Sequence, residues 1–303
     1  MRANPFVLSF SIGALCLLVG CQEDFRPQSD LEGLEVLGIQ ASPPAIVLGE
    51  TSVLSALVYS EEEAPTYTWS VCLFDTGAFS GFECIDPSLE CCLGTDPTVE
   101  LSLEAIGNCN QDCLDLPEED SSSENLAEVP KLDSEEGLAA LGELEQVRVR
   151  VVVKAGSAQI EAVKAVELYS EGIRNTNPTL GKIEYTGDAC DSDEPCEWKE
   201  GEALQLTEGV TLALTAEMTP GESEEEDEQL EDSSLAWYTQ GGEMNAFVTR
   251  ADFPENQLTV KQSEDRDSDI VKLWIVARDG NGGTAWTSRS AQVVESDAGE
   301  NAE

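Results

Sequence analysis

Val271-Lys-Leu-Trp-Ile-Val-Ala277, followed by Asp279-Gly-Asn-Gly-Gly283 and then by Thr284 to Val294, decides the fold of this chain. Val271, Leu273, Ile275 and Ala277 alternate with other residues, so one face of an extended strand is continuously apolar. Asp-Gly and Asn-Gly tolerate positive φ and mark a tight hairpin turn, so Thr284 to Val294 is predicted to return as the antiparallel partner. A second such hairpin lies upstream. Val147, Val149, Val151 and Val153 alternate with Arg148, Arg150 and Val152, a turn falls at Ala155-Gly-Ser157, and Ala158 to Tyr169 returns.

Both hairpins close a longer pattern that occurs twice. The first copy opens with Leu34-Glu-Val-Leu-Gly-Ile-Gln40 and Pro43-Pro44. It continues through Ser52 to Val58, an acidic turn at Glu61-Glu-Glu63, and Thr66-Tyr-Thr-Trp-Ser-Val71. The second opens with Leu180 to Tyr185 and continues through Val210 to Ala216, the acidic run Glu222 to Asp232, Leu235-Ala-Trp-Tyr238 and a short strand at Gln257 to Lys261. Trp69 and Trp237 occupy matching places, each expected to be packed inside its unit. Short strands punctuated by turns predict an all-β fold of two tandem antiparallel β-sandwiches, with a cysteine-rich insertion in the first. The strand order resembles that of bacterial immunoglobulin-like and PKD-like domains, which implies two tandem immunoglobulin-like antiparallel β-sandwiches. Inside the insertion, Thr98 to Leu103 alternates like a strand, and Ser134-Glu-Glu ahead of Leu138, Leu141 and Leu144 suits a short helix. The sequence Ala277-Arg-Asp-Gly-Asn-Gly-Gly-Thr284 resembles the last hairpin of PKD-like domains. The resemblance covers the end of the second unit only, since the first turns at Lys154-Ala-Gly-Ser157.

The N-terminus carries a different kind of information. Arg2 precedes an apolar run from Phe6 to Gly20, which is a signal-peptide layout and too short for a comfortable membrane span. Leu18-Val-Gly-Cys21 resembles the lipobox of bacterial lipoproteins. The resemblance implies cleavage after Gly20 and lipidation of Cys21, with a thioether diacylglycerol and an acyl (palmitate-type) chain on the new amino terminus. Two or more acyl chains make a stable anchor. Gln22, where the sorting rule of that family places Asp for inner-membrane retention, points to the outer membrane. The expected order is a signal peptide (1–20), a lipidated tether (21–32), a first immunoglobulin-like domain with its disulfide-rich insertion (33–172), a second Ig/PKD-like domain (173–295) and a disordered tail (296–303). The tether would reach at most about 40 Å. The layout resembles surface lipoproteins of Gram-negative bacteria built from such tandem domains, and that resemblance brings no particular activity with it.

Composition narrows the function. Sixteen basic residues face 61 acidic ones, giving a net charge of −45. Such a surface repels nucleic acid and anionic lipid head groups. The chain has no histidine, which removes the usual catalytic base, the Ser-His-Asp triad and the commonest metal ligand. There is no glycine-rich phosphate loop ending in Lys-Ser or Lys-Thr. Of ten cysteines, Cys16 leaves with the signal peptide and Cys21 is assigned to lipid. Cys72, Cys84, Cys91, Cys92, Cys109, Cys113, Cys190 and Cys196 remain, an even number that reads as disulfides in an exported protein. Cys190 and Cys196 are set apart and are expected to bridge each other. Adjacent Cys91 and Cys92 are expected to take different partners, and spacing does not fix the pairing of the other six.

Three places invite a binding assignment. Glu222 to Asp232 holds eight acids in eleven residues and reads as a solvated, self-repelling loop. Asp188, Asp191, Asp193 and Glu194 sit in or beside the Cys190–Cys196 loop and offer carboxylates for calcium, but the full loop pattern of a calcium site is absent. Trp274 falls on the face opposite the apolar one, and Trp286, on the partner strand, is placed to stack across from it. They are expected either to form an aromatic contact patch or, more simply, to pack against the other domain. No cofactor and no metal are assigned. The expectation is a non-catalytic envelope lipoprotein that binds or scaffolds an envelope protein, with a calcium- or glycan-binding surface module as the alternative.

Overall fold

The computed structural model describes residues 27–294 except 48, 63, 78, 80, 86–89, 108–111, 115–144, 170–174, 193, 223–231 and 267. Cys21, the helix expected at 134–144 and the 296–303 tail lie outside the described residues, as does all but the ends of the Glu222–Asp232 run.

The first unit runs β1 (Leu34–Ser42), β2 (Ala45–Val47), β3 (Thr51–Ser60), β4 (Thr66–Cys72), β5 (Glu90–Gly94), β6 (Thr98–Ser102), the short helix α1 (Leu103–Gly107), β7 (Gln146–Ala155) and β8 (Ala158–Tyr169). One sheet has the order β1-β3-β6 and the other β2-β8-β7-β4-β5. The second unit runs β9 (Thr179–Thr186), β10 (Cys196–Glu197), β11 (Ala203–Thr207), β12 (Thr211–Thr219), β13 (Ser234–Gln240), β14 (Gly242–Met244), β15 (Val248–Arg250), β16 (Glu255–Val260), β17 (Ile270–Arg278) and β18 (Thr284–Val294). Its sheets are β10-β9-β12-β16-β14 and β11-β18-β17-β13-β15.

Both units are immunoglobulin-like β-sandwiches, and the pairing order itself shows it. In each, the opening segment is split between the two sheets. Strand β1 pairs antiparallel with β3, while β2, past Pro43-Pro44, pairs parallel with the closing strand β8. Likewise β9 pairs with β12, while β11 runs parallel to β18. The purely antiparallel sandwich expected from the strand pattern therefore acquires one parallel edge per domain. In the first domain the split falls at Pro43-Pro44, which lack the N–H that would continue the first ladder.

Alternation fills the cores as the sequence dictates. Val147, Val149, Val151 and Val153 are all at most 1% exposed and pack with Leu54, Trp69 and Leu101. Val271, Leu273, Ile275 and Ala277 do the same with Leu212, Trp237 and Leu258. The two tryptophan N–H groups are satisfied: Trp69 Nε1 donates to Asp96 O at 3.0 Å and Trp237 Nε1 to Thr249 Oγ1 at 2.8 Å. The cysteine-rich segment is less of an excursion than expected, because it supplies β5 and β6, both sandwich strands.

The sandwiches pack face to face through a third cluster. Leu31, Leu37, Tyr59, Ala236, Tyr238 and Val276 are buried there, with Trp274 and Trp286 against them. Tyr59 meets Trp274 edge-on at 5.7 Å between ring centroids. The outward tryptophans thus serve the domain contact. They do not face one another directly, since Trp286 stands opposite Val276 and Trp274 opposite Ser288.

A β-bulge organises this contact. The register of β1 on β3 shifts between Val36 and Gly38, leaving Leu37 as the extra residue. A bulged residue is released from the ladder. The Leu37 carbonyl instead accepts from Tyr238 Oη at 3.3 Å and from Arg278 Nη2 at 3.0 Å, both in the second domain. Gly38 permits the close approach that follows: a Cβ there would lie 3.2 Å from Val276 Cγ1. Asn177 completes the seam, donating from Nδ2 to Ala41 O at 2.8 Å and accepting the Thr284 N–H at 2.9 Å.

Within the stretch expected as a lipidated tether (21–32), residues 29–31 are docked on the second domain. Leu31 N donates to Thr239 O at 3.1 Å, Thr239 N donates to Ser29 O at 2.8 Å, and Asp30 pairs with Lys261 at 2.6 Å. Leu31, the lone aliphatic side chain of that polar run, is 2% exposed in the interdomain cluster, and its burial offsets the ordering of the backbone beside it. Glycine 38 tests the seam. Gly38→Val should push the sandwiches apart while leaving both cores intact, so calorimetry should resolve two unfolding transitions where the parent shows one.

Candidate functional site

The region following β4 departs most from a plain sandwich. Cys72 is bonded to Cys84, with Cα atoms 5.6 Å apart. Between them the backbone folds as a small hairpin: Thr76 N donates to Glu83 O at 2.9 Å, Phe82 N to Gly77 O at 3.0 Å, and, just beyond, Ile85 N to Phe74 O at 2.9 Å. Asp75 fixes the turn, accepting the Gly77 N–H at 2.7 Å and pairing with Arg148 Nε at 3.3 Å. The Arg148 guanidinium also lies over the Phe82 ring, 4.7 Å from its centroid. Phe82 has a left-handed backbone (φ 57°), which is costly for a bulky side chain. The disulfide and the cation–π contact hold it there.

This ordered frame presents apolar side chains to solvent. Phe79 is fully exposed, Ile85 is 65% exposed and Phe74 is 40% exposed. Three of the chain's eight phenylalanines lie between these two cysteines. That spacing was a readable signal, which a count of cysteines alone passes over. Chemically, such a tip offers apolar surface whose burial by a partner is worth roughly 1.5–3 kcal/mol per side chain.

The other cysteines staple the same end of the first domain. Cys92 is bonded to Cys113. Cys91 is disulfide-bonded as well, so the adjacent pair has two different partners, and Cys109 lies outside the described residues. Cys190 and Cys196 are bonded to each other in the second domain. Around them Asp188, Asp191 and Glu194 are exposed, Asp193 lies outside the described residues, and no group of three or more Cys, Asp or Glu converges as a metal site among the described residues. The Asp279–Gly283 loop is a hairpin turn whose Asp279 Oδ1 accepts the N–H groups of Asn281 at 2.9 Å and Gly283 at 2.8 Å.

A second feature lies in the seam. A cleft of about 390 Å³ opens between the domains, lined by Gly38, Ile39, Lys164, Arg278, Gly282 and Thr284 among others. Lys164 reaches from β8 across it to donate to Gly282 O at 2.6 Å and Thr284 Oγ1 at 3.4 Å. Burial lowers its pKa to about 8, against the attraction of Asp279. The reading from sequence gave Lys164 no role, because its importance arises only when the domains meet.

No family model matches this chain, and no curated protein matches it. Solved structures of tandem immunoglobulin domains are similar to it at low identity. The tandem Ig repeats of Dlar share 9% identity, with 88% of this chain and 100% of that chain covered and a TM-score of 0.28. The N-terminal Ig1-2 module of the Drosophila receptor protein tyrosine phosphatase DLAR shares 10%, covering 88% and 100%, with a TM-score of 0.25. Extracellular domains 3-5 of Drosophila OTK share 9%, covering 86% and 63%, with a TM-score of 0.22. These scores are too low to carry an argument about partners or domain arrangement, and the immunoglobulin-like assignment rests on the strand pairing described above.

The Lys164 shift has a definite sign. A lysine whose folded pKa is depressed binds a proton less readily in the native state, so stability rises with pH between about 8 and the unfolded value. Denaturant titrations at pH 7.5 and 10 should therefore show a gain in the parent that is smaller in Lys164→Met, the difference between the two isolating this residue.

Proposed function

We propose that this chain is a non-catalytic, membrane-anchored envelope lipoprotein that binds or scaffolds another envelope protein. The observation that carries the reading is the disulfide-stapled hairpin with Phe79 at full exposure. Aromatic anchors on pre-organised frames dominate protein–protein contacts. Apolar surface left in water is costly, and a net charge of −45 steers basic partners toward the chain. The domain seam supports a scaffolding role, since it fixes the hairpin relative to the second sandwich. The membrane part of the proposal rests on the sequence Leu18-Val-Gly-Cys21 alone.

The two parts are tested separately. Metabolic labelling with palmitate should mark the parent chain, and Cys21→Ser should lose the label and appear in the soluble fraction; a labelled Cys21→Ser chain sinks the lipidation assignment. For the partner, a photo-crosslinking residue placed at position 79 in intact cells should give one discrete adduct, absent when it replaces exposed Val248 on the second domain. Equal crosslinking from both positions argues against a dedicated hairpin contact.

A further inference from the structure

Two buried oxygens near the domain seam accept no hydrogen bond among the described residues. Asp279 is 2% exposed and Asn175 is 3% exposed, and Asp279 Oδ2 and Asn175 Oδ1 are both unpartnered. Their other atoms are fully engaged: Asp279 Oδ1 takes two backbone N–H groups, and Asn175 Nδ2 donates to Asn281 O. Burying an unpaired carboxylate oxygen is costly, so such a group calls for a ligand.

The surroundings say which kind. Gly221 roofs the space. A Cβ there would sit 3.1 Å from Asp279 Oδ2 and would run into Thr176 O, so these two oxygens share one small volume. Thr176, which follows Asn175, is held by reciprocal bonds with Glu222: its N–H donates to Glu222 O at 3.1 Å, and Glu222 N donates to Thr176 Oγ1 at 2.8 Å. Its own carbonyl accepts no hydrogen bond among the described residues. Asn175 is tied to the β17–β18 hairpin through Nδ2 and Asn281 O, so its amide oxygen is held against the loop that carries the carboxylate and faces the Thr176 carbonyl. All three are acceptors. A single water can donate only two hydrogen bonds, whereas a hard cation takes six to eight oxygens at flexible angles. The Lys164 ammonium, whose charge Asp279 attracts, donates to Gly282 O and Thr284 Oγ1 and makes no hydrogen bond to Asp279 Oδ2.

We infer that Asp279, Asn175 and the Thr176 carbonyl form a calcium site at the entry to the second domain. Solvent supplies the remaining ligands, and exposed Glu222 stands beside the Thr176 carbonyl's own residue. The set differs from the carboxylates of the Cys190–Cys196 loop and from the Glu222–Asp232 run. Asn177 is not a ligand, because both its amide atoms are already used between Ala41 and Thr284. Bound calcium ties the linker to the hairpin loop that Lys164 grips from the first domain, so occupancy tightens the seam.

The test uses the two-domain body, stripped with chelator and titrated with calcium chloride in a calorimeter. One site is expected with a dissociation constant of about 10⁻⁴–10⁻³ M, the range of extracellular modules. At tenfold excess over that constant, Tm should rise by about 3 °C, and magnesium chloride at the same concentration should not reproduce the rise. Asp279→Asn keeps the acceptor for Asn281 and Gly283 and supplies N–H groups to the orphaned oxygens. It should fold in chelator at or above the parent Tm and lose the calcium response. Asn175→Ala keeps the carboxylate and should bind at least several-fold more weakly. A variant with Glu224, Glu225 and Glu226 changed to Gln controls for diffuse binding and should respond like the parent. A parent response that disappears with these three changes, or one that survives Asp279→Asn, overturns the site. So does a parent that shows no response, which would mean that water fills the space.

Discussion

The arrangement of the whole molecule depends on one extra residue in one strand. Leu37 interrupts the β1–β3 ladder, and the interruption turns a backbone carbonyl away from its own sheet. Inside a regular ladder that carbonyl would be consumed locally. Released, it becomes the acceptor on which Tyr238 and Arg278 of the second domain converge. The same irregularity turns the Leu37 side chain outward into the interdomain cluster, while Gly38 lets Val276 come close. A sheet face that would otherwise be solvated becomes a second hydrophobic interface, and the rest of the seam follows from its position: Tyr59 against Trp274, Asn177 between Ala41 and Thr284, Lys164 over the hairpin loop.

That seam explains how a chain so acidic holds two domains side by side. Like charges repel, and with only 16 basic residues they cannot all be paired. The contact is therefore apolar at its centre and uses neutral amides, carbonyls and two of the scarce cations at its edge. Arg278 and Lys164 both donate to backbone carbonyls there. Part of the exposed apolar surface lies on the stapled hairpin, whose base is held by the Cys72–Cys84 disulfide and the Arg148–Phe82 contact.

Much of the fold was legible because strand alternation is local. Val147 to Val153 and Val271 to Ala277 announce their faces in any context, and Trp69 and Trp237 mark equivalent cores. The parallel edges were not legible, because β2 and β11 are short and are strands only by virtue of the closing strands they meet. The core residue Trp198 was also passed over: it follows a two-residue strand and is buried against Tyr185. Of the two proposed binding surfaces, the phenylalanines between Cys72 and Cys84 were visible and the unpartnered oxygens of Asn175 and Asp279 were not. The latter are about a hundred residues apart, and nothing in either neighbourhood shows that their remaining hydrogen bonds go elsewhere.

The docked stretch from Ser29 to Leu31 has a mechanical meaning. A chain held at its start and pulled by whatever it binds passes tension into the body at the first ordered contact. Among the described residues the first contact of this kind is with Thr239 and Lys261 of the second domain, not with the domain that follows in sequence. The segment runs parallel to β13, so a pull along it loads the two backbone hydrogen bonds and the Asp30 ion pair together, in shear, rather than peeling them one at a time. Strand β1 is shielded from that load until these bonds give way, and the second domain bears it first.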